Sequence, residues 1–186
     1  MLKKIIFMGL AFFSCFSQAK DTRSLYQIDL IIFTHPQPTH LPPELSLSST
    51  LSSECKQAAP LQTEIHKDLI PFHLLPSSSS QLREEYWALH RNPEYRVLLH
   101  YTWLQPFNSQ RAVALPIINR DGWQLEGSLR IQRSSYYLLN TELLFSPSDS
   151  SHPPFVFAQK QRLKGGDTYY FDHPQVGMLI KIHQLG

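Results

Sequence analysis

From Tyr95 to His183 the chain alternates apolar and polar residues with a period of two, segment after segment, between short turn-forming stretches. A strand points successive side chains to opposite faces, so this pattern suits pleated sheets that bury one face and does not suit helices. Strands are expected at 95–104, 111–118, 124–132, 136–145, 155–163 and 176–183. Arg133-Ser134-Ser135 closes a hairpin, and Asp121-Gly122 and Gly165-Gly166 mark further turns. An earlier strand is expected at 25–33, with Tyr26, Ile28, Leu30 and Ile32 on one face and Asp29 on a second, less covered face.

One segment has helical spacing instead. Leu82, Tyr86 and Leu89 recur at i, i+4 and i+7, Ser77 to Ser80 supply candidate N-caps, and Glu84 and Glu85 sit where a helix dipole favours acid. Asn92-Pro93 ends the helix. Residues 69–75 form a short extended approach to it. Pro36, Pro38, Pro42 and Pro43 forbid a regular ladder, so 34–59, rich in Pro, Ser and Thr, is expected to be a long surface loop without order. The fold class that follows is α+β: a mainly antiparallel sheet with one helix packed on a face.

The start of the chain points to a compartment. Lys3 and Lys4 precede an uncharged run from Ile5 to Phe13, and Ser17-Gln18-Ala19 is a small-x-small cleavage signal. This order is that of a secretory signal peptide over residues 1–19, leaving one domain at 20–186. The run is far shorter than the roughly 20 apolar residues that span a bilayer. No second hydrophobic stretch follows, so no membrane span is expected after cleavage. Cleavage removes two of the 17 Lys+Arg, and the remainder balance the 15 Asp+Glu. A neutral chain has no basic footprint for nucleic acid. Cys15 also leaves, so Cys55 is alone and forms no internal disulfide. A domain of this size buries about 70% of its unfolded surface and is expected to fold without one.

Catalytic signatures are absent from the sequence. It has no Gly-x-Ser-x-Gly elbow, no paired-glycine phosphate fingerprint after a strand and no His-Glu-x-x-His. Lys164-Gly165-Gly166-Asp167 shares three residues with a nucleotide-cyclase loop and is better explained as a hairpin turn. The histidines are scattered, and His35 and His40 share a proline loop that gives them no ligand geometry, so neither a metal nor a cofactor is expected.

Two segments stand out. Along 95–106, alternation places Tyr95, Val97, Leu99, Tyr101 and Trp103 on one face and Arg96, Leu98, His100 and Thr102 on the other. The aromatic face suits a core, and it also suits a platform for sugars. In 169–177, Asp172 is placed to cap or orient His173, Pro174 stiffens the turn, and Gly177 allows an unusual backbone angle.

Together these segments resemble the CsiV family of periplasmic peptidoglycan-binding proteins. The likeness lies in the exported start and the first strand from Tyr26 to Phe33. It continues in Tyr95-Arg96-x-Leu98-x-His100-x-x-Trp103-x-Gln105-Pro106, in Leu125-x-Gly127-Ser128-Leu129-Arg130-Ile131 and in Asp172-His173-Pro174-x-x-Gly177. The chain departs from the family pattern at Ser135 to Leu138, at Gln161-Arg162 and at Asp167 to Tyr170. The resemblance implies a non-catalytic periplasmic protein that binds peptidoglycan and supports wall synthesis, with an outer-membrane lipoprotein activator and a bifunctional penicillin-binding protein as partners. An envelope adaptor without wall binding is the alternative, and a wall-acting enzyme comes third. A polymeric glycan needs polar groups for its hydroxyls beside an aromatic surface. The candidate contacts are therefore Arg96, His100, Gln105, Asp172 and His173, with Trp103 and Tyr169.

Overall fold

The computed structural model describes residues 25–35, 51, 57–65, 69–149 and 153–185. The expected signal peptide, Cys55, His40 and most of the 34–59 loop lie outside the described residues. In chain order the strands are β1 (Leu25–Thr34), β2 (Ala59–Pro60), β3 (Gln62–Ile65), β4 (His73–Leu74) and β5 (Arg96–Pro106). They continue with β6 (Val113–Arg120), β7 (Trp123–Arg133), β8 (Tyr137–Pro147), β9 (Phe155–Leu163), β10 (Thr168–Asp172) and β11 (Val176–Gln184). A short 3-10 turn at Ser77–Ser79 precedes the helix α1 (Arg83–Arg91).

The strands form two sheets. One has the order β10-β11-β1-β5-β4-β3 and the other β2-β6-β7-β8-β9. The long pairings are antiparallel, as expected; the short β2 runs parallel to β6, and the short β3 parallel to β4. Of the strands, β2, β3 and β10 were not expected, because two to five residues carry too little periodicity to show.

The main core lies where the sheets face each other. Tyr26, Ile28, Leu30 and Ile32 of β1 stand beside Leu99 and Trp103 of β5 and Met178, Ile180 and Ile182 of β11. Against them pack Leu125, Leu129 and Ile131 of β7, Leu139, Leu143 and Phe145 of β8, and Phe157 of β9. Tyr26 donates its hydroxyl across the gap to the Ile131 carbonyl at 3.3 Å, which ties the first strand to the second sheet.

The other face of β1 is also covered, and this corrects the expectation for Asp29. Leu82, Tyr86 and Leu89 of the helical segment pack on Ile31 and Phe33, so β1 is buried along its length apart from Thr34. Asp29 is 0% exposed. The helix itself is stabilised by Glu84 and Glu85 in its first turn and His90 and Arg91 in its last, each opposite in sign to the dipole end it meets. Ser77 to Ser79 make the 3-10 turn, and Ser80 accepts from the Leu82 N–H at 3.1 Å.

A bulge in β5 breaks the expected alternation. Ile32 pairs with Leu99 but Phe33 pairs with Val97, so Leu98 is an extra residue. Leu99, Tyr101 and Trp103 keep to the inter-sheet face, while Tyr95 and Val97 move to the helix-covered face beside Phe33. Gly177 also differs from expectation: its φ is not positive, and its role is to make room for the Phe33 ring, which a Cβ would strike.

Gly127 carries both constraints at once. Its φ is 148°, and a Cβ there would collide with the Glu142 carbonyl oxygen on the neighbouring strand. Gly127→Ala is expected to cost about 3 kcal/mol from overpacking and backbone strain together. Urea unfolding checks this, and an unchanged midpoint would contradict it.

Candidate functional site

Among the described residues, β5 has a full partner on one side only. β1 runs along its whole length, whereas β4 meets it at the single pair Leu74–Trp103. The chain then turns through Ser77–Ser79 into α1, which crosses the helix-covered face of the sheet. Between the turn and α1 on one side and the end of β6 on the other lies a groove of about 730 Å³. Val97 to Tyr101 of β5 run along it, which places it beside the uncovered part of that strand. The volume is in the range of small-ligand sites, roughly 300–1,000 Å³.

Each wall brings a different chemistry. From the turn and helix come Ser77, Ser78, Arg83, Tyr86 and Trp87. Trp87 is 50% exposed, a large aromatic surface left in water beside the helix's packed face. Its neighbours extend the aromatic area: Tyr86 lies edge-on to it at 5.2 Å and stacks on His100 at 4.8 Å. Arg83 stands one helical turn from Trp87 on the same side. From β6 come Ile118, Asn119 and Arg120, and the Arg120 Nη1 lies 3.5 Å from both the Val97 and Leu98 carbonyls. Among the described residues, the groove is lined by two guanidinium groups and no carboxylate, which favours an anionic group on whatever occupies it.

His100 is held from below by a buried polar network. The Ser80 hydroxyl oxygen accepts from the Leu82 N–H and lies within hydrogen-bond distance of His100 Nε2, at 2.9 Å. Ser80 is only 5% exposed, so this serine–histidine contact ties the segment just before the helix to the ring. Deeper in, Asp29 accepts from Thr102 Oγ1 at 2.7 Å and from the Gln27 amide at 3.1 and 3.2 Å. The same Gln27 nitrogen donates to the Ser79 carbonyl at 2.8 Å, joining the carboxylate to the turn before α1. His183 Nδ1 lies 3.7 Å from Asp29 on its other side. Burial lowers the affinity of His100 for a proton, with the Asp29 charge pulling the other way. Burial likewise lowers that of His183, opposed by Asp29 and reinforced by Lys181.

The residues singled out in the sequence do not converge. His100 lines the groove. Arg96 is exposed at the start of β5 and donates to the Pro93 carbonyl at 2.6 Å, clear of the groove lining. Trp103 and Gln105 are 0% and 1% exposed and belong to the interior, which removes both as surface contacts. Tyr169 accepts from the Lys164 N–H at 2.7 Å and steadies the β9–β10 turn. Asp172 and His173 sit where β10 turns into β11, two strands away from β5. They are not partners: Asp172 accepts from the Tyr170 hydroxyl at 2.6 Å and faces His35 at 3.6 Å, while His173 stacks on Phe155 at 4.5 Å. Arg83, Trp87, Asn119 and Arg120 went unnoticed in the sequence. A tryptophan beside the apolar stripe of the helix was the one available signal; Asn119 and Arg120 merely precede a turn. Among the described residues, no three His, Cys, Asp or Glu side chains gather as a metal site, and no helix is long and apolar enough to cross a membrane.

The two lowered imidazoles make a pH-dependent contribution to stability. The unfolded chain takes up protons at these histidines near pH 6.5 while the folded chain still resists them. Stability is therefore complete above that pH and declines as the solution is acidified through it, levelling off below the lowered folded values. Melting temperatures between about pH 7.5 and 5 should fall in the unaltered protein. His183→Gln should flatten the decline, and an equal slope in both proteins would contradict the assignment.

A family model described as a peptidoglycan-binding protein, CsiV, matches residues 5–185. No curated protein and no solved structure matches the chain. The matched span takes in both sheets, α1 and every residue of the groove, and by it the chain belongs to the CsiV family of peptidoglycan-binding proteins.

Proposed function

We propose that the protein works in the periplasm, where it holds peptidoglycan without altering it and supports wall synthesis. Its partners there are an outer-membrane lipoprotein activator and the bifunctional penicillin-binding protein which that lipoprotein stimulates. Family membership over almost the whole chain is the observation that carries this reading. The signal-peptide pattern of residues 1–19 supports the compartment.

The groove supports binding as the activity. It combines an exposed indole, hydroxyls, an amide and two guanidinium groups, the mixture that a carbohydrate bearing anionic peptides would need. Without residues 1–19 the chain has no net charge, so general attraction to the anionic wall is weak and local contacts must supply the affinity. An insoluble polymer presents many copies of one epitope, so a modest affinity at each is enough for retention.

Purified protein lacking residues 1–19 should sediment with isolated sacculi at about physiological ionic strength, where surface charge is screened within roughly 8 Å. A periplasmic protein of similar size serves as the control. Retention no greater than the control's, with envelope synthases still co-purifying, would replace wall binding by an adaptor role. Release of soluble muropeptides from the sacculi would replace holding by catalysis.

A further inference from the structure

Arg83 and Arg120 reach the groove from opposite walls, one from the first turn of α1 and the other from the end of β6. Among the described residues neither guanidinium has a carboxylate partner, and no residue lining the groove is acidic. Glu84 and Glu85 share the first turn of α1 with Arg83 but lie outside the lining. Arg120 rests against β5, its Nη1 3.5 Å from the Val97 and Leu98 carbonyls beside the bulge. These contacts are at the long end of hydrogen-bond range. A guanidinium carries five N–H donors, so most of them remain for a ligand.

We propose that this groove takes the free carboxylates of the stem peptides, so that the protein reads the peptide part of the wall and not its sugar backbone. The proposal rests on the peptidoglycan-binding reading above and assigns it a place and an epitope. The glycan strand is uncharged. Its sugars present hydroxyl and acetamido groups, and their lactyl carboxyls are consumed in the amide bonds to the peptides. Hydroxyl and amide side chains are enough to meet such groups, and a neutral sugar gives a guanidinium no charge in exchange for the water it loses. The stem peptide keeps more than one free carboxylate, and the planar guanidinium fork matches a carboxylate with two parallel hydrogen bonds.

The rest of the groove suits a short acidic peptide. Ser77, Ser78 and Asn119 offer donors and acceptors to its amide units. The exposed indole of Trp87 covers methyl and methylene groups between them. Without residues 1–19 the chain has no net charge, so the two guanidinium groups are a local attraction and not part of a general one.

The test changes the charge on the wall and on the groove separately. Carbodiimide with ammonia converts the free carboxylates of isolated sacculi to carboxamides and leaves the glycan intact. Protein lacking residues 1–19 should bind untreated sacculi and bind the amidated ones about tenfold more weakly. Arg83→Gln and Arg120→Gln should each weaken binding to untreated sacculi about fivefold, with the melting temperature as the check on folding. Arg111→Gln removes the same charge from an exposed residue outside the groove and should bind as the unaltered protein does. Equal binding to treated and untreated sacculi, unchanged binding in both groove variants, or an equal loss in Arg111→Gln would each overturn the proposal and leave wall binding standing. Retention by glycan strands stripped of their peptides would do the same. If the unaltered protein does not sediment with untreated sacculi, calorimetric titration with free stem tetrapeptide separates the two readings. Peptide binding that both groove variants lose upholds the carboxylate site and overturns wall binding, and no peptide binding overturns both.

Discussion

A carboxylate with no access to water has to be paid for in hydrogen bonds, and Asp29 sits at the centre of the first sheet under that requirement. Thr102 meets it from β5, Gln27 from its own strand, and His183 approaches from β11. Gln27 passes the constraint on to Ser79, fixing the turn from which α1 departs. Apolar packing alone would allow the helix to slide along Ile31 and Phe33, because dispersion contacts are many and undirected. The hydrogen bonds are directional, and they place Ser80, and through it His100, at one position. The polar network thus selects among ways of packing that hydrophobic contact leaves nearly equal.

The groove follows from that placement and from an irregularity in β5. A β5 paired on both sides would have no open backbone, and an unbroken alternation would put Val97 on the inter-sheet face. The extra residue at Leu98 does two things. It turns Tyr95 and Val97 towards the helix, and it shifts the pairing register beside the Val97 and Leu98 carbonyls that Arg120 approaches from the other sheet. Open sheet edges invite pairing with other chains, and shortness is one way to limit that. Among the described residues, the unpaired stretch of β5 beside the groove is short in this way.

Much of the architecture was legible because burial on one face writes a period of two into the sequence. The edges of β5, β6, β7, β8, β9 and β11 fall within a few residues of the alternating runs, and α1 follows the spacing of Leu82, Tyr86 and Leu89. Two kinds of feature were hidden. Asp29 looked like the mark of a wet face, since a charged residue is rarely buried without partners and its partners come from distant strands. The bulge was hidden because Val97, Leu98 and Leu99 are all apolar, so inserting one shifts the register without breaking the run. The site suffered from the same cause. Trp103 and Gln105 lay on a face that suited either core or ligand, and only the second sheet decides for core. Arg83, Trp87 and Arg120 are far apart in sequence or inconspicuous, and folding alone brings them to one groove.

His100 belongs to both systems. Its ring stacks on Tyr86 and bonds to Ser80 just before the helix, while its backbone belongs to β5, which lines the groove. The same residue therefore fixes the distance between the helix that carries Trp87 and the strand that lines the groove. A ligand that contacts both must match that spacing, and a rigid spacing keeps the ordering cost of binding low. The Asp29 network, buried beneath the groove, in this sense holds its two walls at a fixed separation.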